Sequence, residues 1–235
     1  MDNPEDRIEY ALRNTQVMRQ PSQALATFGV TVVHYYLVTK PAYSDVLPSG
    51  SDTVIREGEV SAEKPRIVTP YYMLRLEGFG SEAKSYFEDE AHRTGLHTPG
   101  LLYTYRNQGQ GTSIVSGEVG AVGQRLAADL DHKGEKLAAV VRGIDEMWDV
   151  SLLKFIYDLT RRSLLTNISD LQSKGLLDMD TGVPRSVRMR LEKMFQAATQ
   201  GRVSLKELKE ELDRWGLFDH YEDRFFSTAR HRRGM

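Results

Sequence analysis

From Val150 to Leu159 the sequence reads VSLLKFIYDL, and seven of its ten side chains are large and apolar: Val150, Leu152, Leu153, Phe155, Ile156, Tyr157 and Leu159. At 100° per residue this stretch forms a helix. Ser151, Lys154, Asp158, Arg161 and Arg162 make its only polar stripe, confined to about 100° of the circumference. A helix so apolar has to be covered on most sides, so it is expected to be the packing centre of the chain. Burying its seven apolar side chains contributes a gross ~10–20 kcal/mol at ~1.5–3 each. The segment from Leu137 to Leu177 around it joins two different kinds of sequence, a mixed α/β part at 1–149 and a helical part at 150–235.

The remaining composition narrows the class. The chain has 235 residues, 40% hydrophobic and 27% charged, which suits one large globular domain or two small ones. It contains no cysteine, which excludes disulfides, cysteine nucleophiles and thiolate-ligated metal sites, and fits a cytoplasmic location. The acidic start MDNPEDRIEY does not read as a signal peptide. Pro21 to Thr39 carries no charged residue, but Thr27, Gly29, Thr31 and His34 break it, so it reads as loop plus strand and no membrane partner is expected. The net charge of −2 hides an imbalance, −6 over 1–149 and +4 over 150–235.

Asn3-Pro4 opens a first helix whose packing face is Ile8, Ala11, Leu12, Thr15 and Met18. Phe28–Thr39 is apolar on both faces and reads as a central strand. A Pro-, Ser- and Gly-rich loop follows at Pro41–Ser51. Thr53–Arg56 and Val60–Ala62 then form a hairpin about Glu57-Gly58. From Arg66 the elements run strand (66–69), helix (81–93), strand (101–106), strand (112–116), helix (118–132) and strand (137–142). The expected fold is therefore α+β: a mixed or antiparallel sheet with a ferredoxin-like βαββαβ core at about 66–142, followed by a helical C-terminal part.

In that helical part Gly175 closes a short helix after Asn167, and Pro184 starts the next, with Val187, Leu191, Met194, Phe195 and Ala198 inward. Ser204-x-x-Glu207 spells a capping box, framed by Val203 and Leu208, and Gly216 is the matching stop signal. A last helix carries Phe218, Tyr221 and Phe225 and runs into the tail Arg230-His231-Arg232-Arg233.

Six groups carry candidate chemistry. Gly78-Phe79-Gly80-Ser81-Glu82-Ala83 has the spacing of a dinucleotide loop, but Glu77 and Glu82 flank the phosphate position and Arg106 stands where the next strand needs an acid. Glu88, His92 and His97 have ligand-like spacing without a fourth donor. Asp145, Glu146 and Asp149 suit either a magnesium ion or a helix start, and the helix start needs no further residues. Asp178-Met179-Asp180-Thr181-Gly182 opens like a calcium loop, yet its glycine comes one position early and Met189 stands at the twelfth place, so it reads as a turn before Pro184. No metal and no cofactor are therefore expected.

The fifth group, Arg185, Arg188, Arg190 and Lys193 on one helix, is a candidate for phosphate or nucleic-acid contact, although Glu192 interrupts it. His34 and Tyr36, together with Tyr103 and Tyr105, are the candidates for a pocket. No group argues for catalysis. The expectation is a cytosolic binding or regulatory protein with a protein partner. One alternative is a nucleic-acid-binding protein using the basic C-terminal helices; another is an enzyme with its pocket near His34 and Tyr36.

Overall fold

The computed structural model describes residues 4–45, 51–69, 71–72, 93, 95, 97–180 and 182–233. Contacts group the chain into two units, Met1–Pro65 with Tyr103–Ile168 and Arg66–Leu102 with Ser169–Met235. That grouping interleaves the chain and is a different quantity from the division at 149/150 suggested by charge and periodicity.

The first unit is built on a five-stranded mixed sheet. Its strands are β1 (Gln16–Arg19), β2 (Thr31–Lys40), β3 (Asp52–Ala62), β6 (Tyr105–Ser116) and β7 (Ala138–Ile144), in the spatial order β1-β7-β2-β3-β6. β7 runs parallel to β2, and the other neighbours pair antiparallel. Alternation along the strands gives the sheet two covered faces. Val33, Tyr35, Leu37, Val60, Ala139 and Val141 pack with Leu152, Phe155, Ile156 and Leu159 of helix α3 (Trp148–Ser173). Val38, Ala138 and Val140 pack on the opposite side with Val119, Val122 and Leu130 of helix α2 (Val119–His132). Helix α1 (Pro4–Asn14) buries Ala11, while Ile8 and Leu12 of its expected packing face are exposed.

Two glycine signals mean something other than turns. The expected hairpin about Glu57-Gly58 is one continuous strand, β3, and the expected pair 101–106 and 112–116 gives the single strand β6 across Gly109 and Gly111. These glycines face each other: Gly58 pairs with Gly109 and Glu57 with Gly111, leaving Gln110 as a bulge. Gly58 is there for space, since a Cβ at this position would stand 2.6 Å from the Tyr35 hydroxyl oxygen and 2.8 Å from its ring. The Tyr35 hydroxyl reaches over it to donate to Asn107 Oδ1 at 3.1 Å.

This pairing corrects the ferredoxin-like expectation for 66–142. In the second unit β4 (Arg66–Val68) pairs, among the described residues, with β5 (Gly100–Leu102) in a two-stranded sheet apart from the five-stranded one. In the first unit β6 pairs with β3, and β7 enters the sheet interior beside β2. The helix expected at 81–93 and the Gly78–Ala83 motif lie outside the described residues, apart from Arg93. The coarse expectation stands: the chain is α+β with a mixed sheet. Among the described residues no helix is long and apolar enough to cross a membrane.

α3 also corrects two expectations. It is covered along one side only, with Leu153 and Tyr157 each 63% exposed. It also runs through Asn167 without ending, because that side chain is fully buried and bonded inward.

The second unit packs helices α4 (Arg185–Thr199), α5 (Leu205–Trp215) and α6 (Phe218–Arg233) around Leu191, Phe195, Leu208, Leu212, Trp215, Tyr221 and Phe225. The short pair β8 (Met179–Asp180) and β9 (Val183–Pro184) makes the expected turn before Pro184. The capping box is complete. Ser204 Oγ accepts from the Glu207 amide at 3.1 Å, Glu207 Oε2 accepts from the Ser204 amide at 2.9 Å, and Gly216 closes α5 with φ 64°.

Candidate functional site

In the first unit the carboxyl ends of the parallel strands β2 and β7 lie side by side, Lys40 in register with Ile144. Clefts in α/β structures form outside such strand ends, where the chain leaves the sheet and side chains from several elements converge. A cleft of about 620 Å³ opens here. It is lined by Tyr10, Arg13 and Asn14 at the end of α1, Thr15 and Gln16 leading into β1, Lys40, Val119 in the first turn of α2, and Arg142, Gly143 and Ile144.

Three of these side chains are cationic, and the described lining contains no carboxylate. Two acids adjoin its cations, Glu9 beside Arg13 and Glu118 near Arg142. Glu9 pairs with Arg13 at 2.5 Å. Glu118 caps α2, where the Gly120 and Ala121 amides, aided by the Arg142 charge, hold its carboxyl below the usual range.

Local sequence builds this wall. Gly143 has no side chain because Ser151 approaches it: a Cβ would stand 2.5 Å from Ser151 Oγ. The Ser151 and Thr15 hydroxyls lie 2.7 Å apart, tying the α1–β1 connection to the start of α3. α1, β7 and α3 are thereby joined under the cleft through buried groups.

On the other side of the same sheet end Asp145 is consumed internally. Its carboxylate accepts from Thr39 Oγ1 at 2.7 Å, Arg56 Nη1 at 2.5 Å and the Ala42 amide at 3.3 Å. Arg56 lies 5.9 Å over the Trp148 ring. Burial pushes the Asp145 carboxyl up, but the Thr39 and Arg56 hydrogen bonds, the Arg56 charge and the Ala42 amide outweigh it and hold the group below the usual range. Asp145 and Glu146 lie in the first turn of the 3-10 helix Asp145–Met147 and Asp149 in the first turn of α3, as expected for a helix start, while the Asp145 carboxylate itself bonds Thr39, Arg56 and Ala42. Among the described residues no group of three or more His, Asp or Glu side chains is arranged to hold a metal.

The structure separates the four pocket candidates. Tyr36 packs on the α2 face, whereas Tyr103 and Tyr105 pack on the α3 face. His34 is exposed, its Nδ1 3.5 Å from Glu59. Tyr103 and Tyr105, both half-buried, stack at 6.3 Å and belong to a neutral network that reaches the buried Asn167. The Tyr103 hydroxyl donates to Asn167 Oδ1 at 2.7 Å, and Asn167 Nδ2 donates to the Leu25 carbonyl at 2.8 Å and to Thr27 Oγ1 at 2.9 Å. Ser163 Oγ accepts from the Leu25 amide at 3.0 Å, and the Tyr105 and Thr160 hydroxyls bond each other. These ties pin the loop before β2 to α3. Burial, with the neighbouring Tyr105, pushes the Tyr103 phenol up to about 12.

The four basic candidates on α4 are likewise dispersed. Arg185 and Lys193 are exposed. Arg188 pairs with Asp180 at 3.1 Å, and the interrupting Glu192 is held by both terminal nitrogens of Arg224, at 2.5 and 2.7 Å. Arg190 turns inward to Glu211, which is only 4% exposed. Glu211 also accepts from Trp215 Nε1 at 3.1 Å and from the Tyr72 hydroxyl at 3.3 Å, and it faces Arg66 and Arg214, each at 3.6 Å. Burial lowers the Arg190 pKa more than the Glu211 charge restores it. The Nε atoms of Arg190 and Arg214 are buried without a partner.

Sequence reading missed Arg13, Lys40 and Arg142. They lie on three elements far apart in the chain, and only the parallel pairing of β2 and β7 brings two of those elements together. Of the possible ligand set Glu88, His92 and His97, the first two lie outside the described residues, and the His97 ring sits 5.3 Å from that of Tyr71. Thr181 of the calcium-like loop is also outside them. No family model, curated protein or solved structure matches this chain.

Proposed function

We propose that the chain is a non-catalytic, regulatory binding protein of the cytoplasm that recognises a carboxylate- or phosphate-bearing ligand in the Arg13–Lys40–Arg142 cleft. The observation that carries this reading is the cleft itself: three cations and the neutral polar groups of Tyr10, Asn14, Thr15 and Gln16 in one described lining that contains no acid. Cationic side chains backed by neutral hydrogen-bonding groups attract an anion and orient it. A protein partner presenting acidic side chains is the form of ligand we favour, since the cleft opens to the surface and offers several cations to successive carboxylates. The nucleic-acid reading draws less support, because Arg188 and Arg190 are paired and only Arg185 and Lys193 of its four residues are exposed.

Calorimetric titration of the full chain with inorganic phosphate, citrate and a short oligoglutamate peptide tests this. We expect salt-sensitive binding of at least one anion, tightest for the peptide, and its loss in Arg142→Ala. Absence of binding by all three at ~50 mM salt, where electrostatic attraction is only moderately screened, overturns the reading.

A further inference from the structure

β6 is the last strand of the five-stranded sheet, and its outer edge pairs with no strand among the described residues. Its twelve residues, YRNQGQGTSIVS, are exposed except for Tyr105 and Val115, which are half-buried. Edge strands are usually guarded by lysine, proline, inward charge or a bulge, because unpaired amides and carbonyls template another strand. Here the sequence has no lysine and no proline, and its one charge, Arg106, lies near the start. The bulge at Gln110 protects the middle. Beyond it, Gly111–Ser116 is a neutral, regular segment with β-branched Thr112, Ile114 and Val115, and Ile114 is 58% exposed. Thr112 and Ile114 lie on the same face of the strand, in register with Arg56 and Val54.

We propose that this segment pairs antiparallel with its own copy in a second molecule, joining two sheets across a twofold axis at Ser113. A twofold there sets Ser113 opposite its own copy and Thr112 opposite Ile114 of the second copy on the face they share, so β-branched and small neutral residues meet and no like charges are opposed. Arg106 of each copy falls outside the paired stretch. A partner strand carrying charge gains no complementary group along 111–116, which is why a second copy fits this edge better than an acidic or basic peptide. One strand pair is a small interface, so the dimer forms and dissociates with concentration.

Sedimentation of the full chain over a wide concentration range tests the pairing, with Ile114→Lys and, independently, Thr112→Lys. Both positions are exposed in the monomer, and each variant sets two lysines near each other across the axis. The expected result is a concentration-dependent dimer whose dissociation constant rises at least tenfold in each variant, with amide exchange at 111–116 slowed at high concentration in the wild type. A monomer at every concentration overturns the proposal, and so does a dimer that both variants leave unchanged. Arg142→Ala leaves dimerisation intact, so failure here is distinct from failure of the anion-binding reading.

Discussion

Two clusters of cations in this molecule have opposite fates. In the second unit Arg66, Arg190 and Arg214 converge on one buried carboxylate, Glu211, with Tyr72 and Trp215 filling its remaining acceptor sites. In the first unit Arg13, Lys40 and Arg142 line a cleft whose described walls hold no acid. Charge counted along the chain does not foresee this, since 150–235 carries +4 while 1–149, which contributes Arg66 as well as the three cleft cations, carries −6. Net charge measures what a segment carries, and pairing decides what it presents. Arg66, Arg190 and Arg214 converge on the buried Glu211, whereas Arg13, with Glu9 beside it, Lys40 and Arg142 stand along the cleft. The same contrast holds for buried polar groups: the first unit ties its loop to α3 with the neutral Asn167 network, whereas the second relies on charge.

The sharpest way to break this comparison is Glu211→Ala. It removes the shared counter-charge and leaves three guanidiniums facing one another, so unfolding free energy should fall by about 3–5 kcal/mol. A loss under ~1 kcal/mol in denaturant unfolding means that the arginines are solvated and the cluster is no structural knot. Asn167→Ala should cost about 1–3 kcal/mol, the usual penalty for stranding buried partners, here the Leu25 carbonyl and the Tyr103 hydroxyl. The two variants should differ in salt response, Glu211→Ala changing with ionic strength and Asn167→Ala hardly at all.

Asp145→Asn should cost about 1–2 kcal/mol at neutral pH, because hydrogen bonds to a charged group are worth about 1.5–3 and this one is partly exposed. The pH dependence follows from the sign of its shift. The folded-state pKa of Asp145 lies below its unfolded value, so its contribution is complete above the ordinary carboxylate range near pH 4 and is lost as pH falls through the depressed folded value. Asp145→Asn should therefore remove part of the acid-side loss of stability seen in the wild type. Equal acid limbs in the two proteins contradict the Asp145–Arg56 tie. The smallest effect is expected for Arg142→Ala, within about 0.5 kcal/mol of wild type as for an ordinary surface change. A large destabilisation would move Arg142 from the ligand-binding class to the structural one.

What sequence reading reached was local. The Ser204-x-x-Glu207 box, the Gly216 stop and the turn before Pro184 each follow from a few adjacent residues, and each forms as expected. The central position of the strand after Phe28 followed from its two apolar faces. What it missed was long-range. Gly58, Gly109 and Gly111 look like turn residues in one dimension, but their role is to let Tyr35 cross one strand and to bulge its neighbour. Asn167 looks like a helix end, yet its side chain is needed inside to bond Leu25 and Thr27, residues distant in sequence. Arg190 reads as one of a basic row, and nothing local marks Glu211 as its partner. The cleft is the extreme case, because it exists only once β7 has inserted beside β2.

The contrast between the two cationic regions can be tested in one series of thermal-melting measurements with increasing inorganic phosphate or oligoglutamate at constant ionic strength. A ligand that binds only the folded state raises stability in step with its concentration above Kd. Wild type and the double variant Arg185→Ala/Lys193→Ala should gain equally in melting temperature, and Arg13→Ala/Arg142→Ala should gain nothing. A shift that survives in Arg13→Ala/Arg142→Ala but disappears in Arg185→Ala/Lys193→Ala would place the anion site on α4 and contradict the assignment to the cleft.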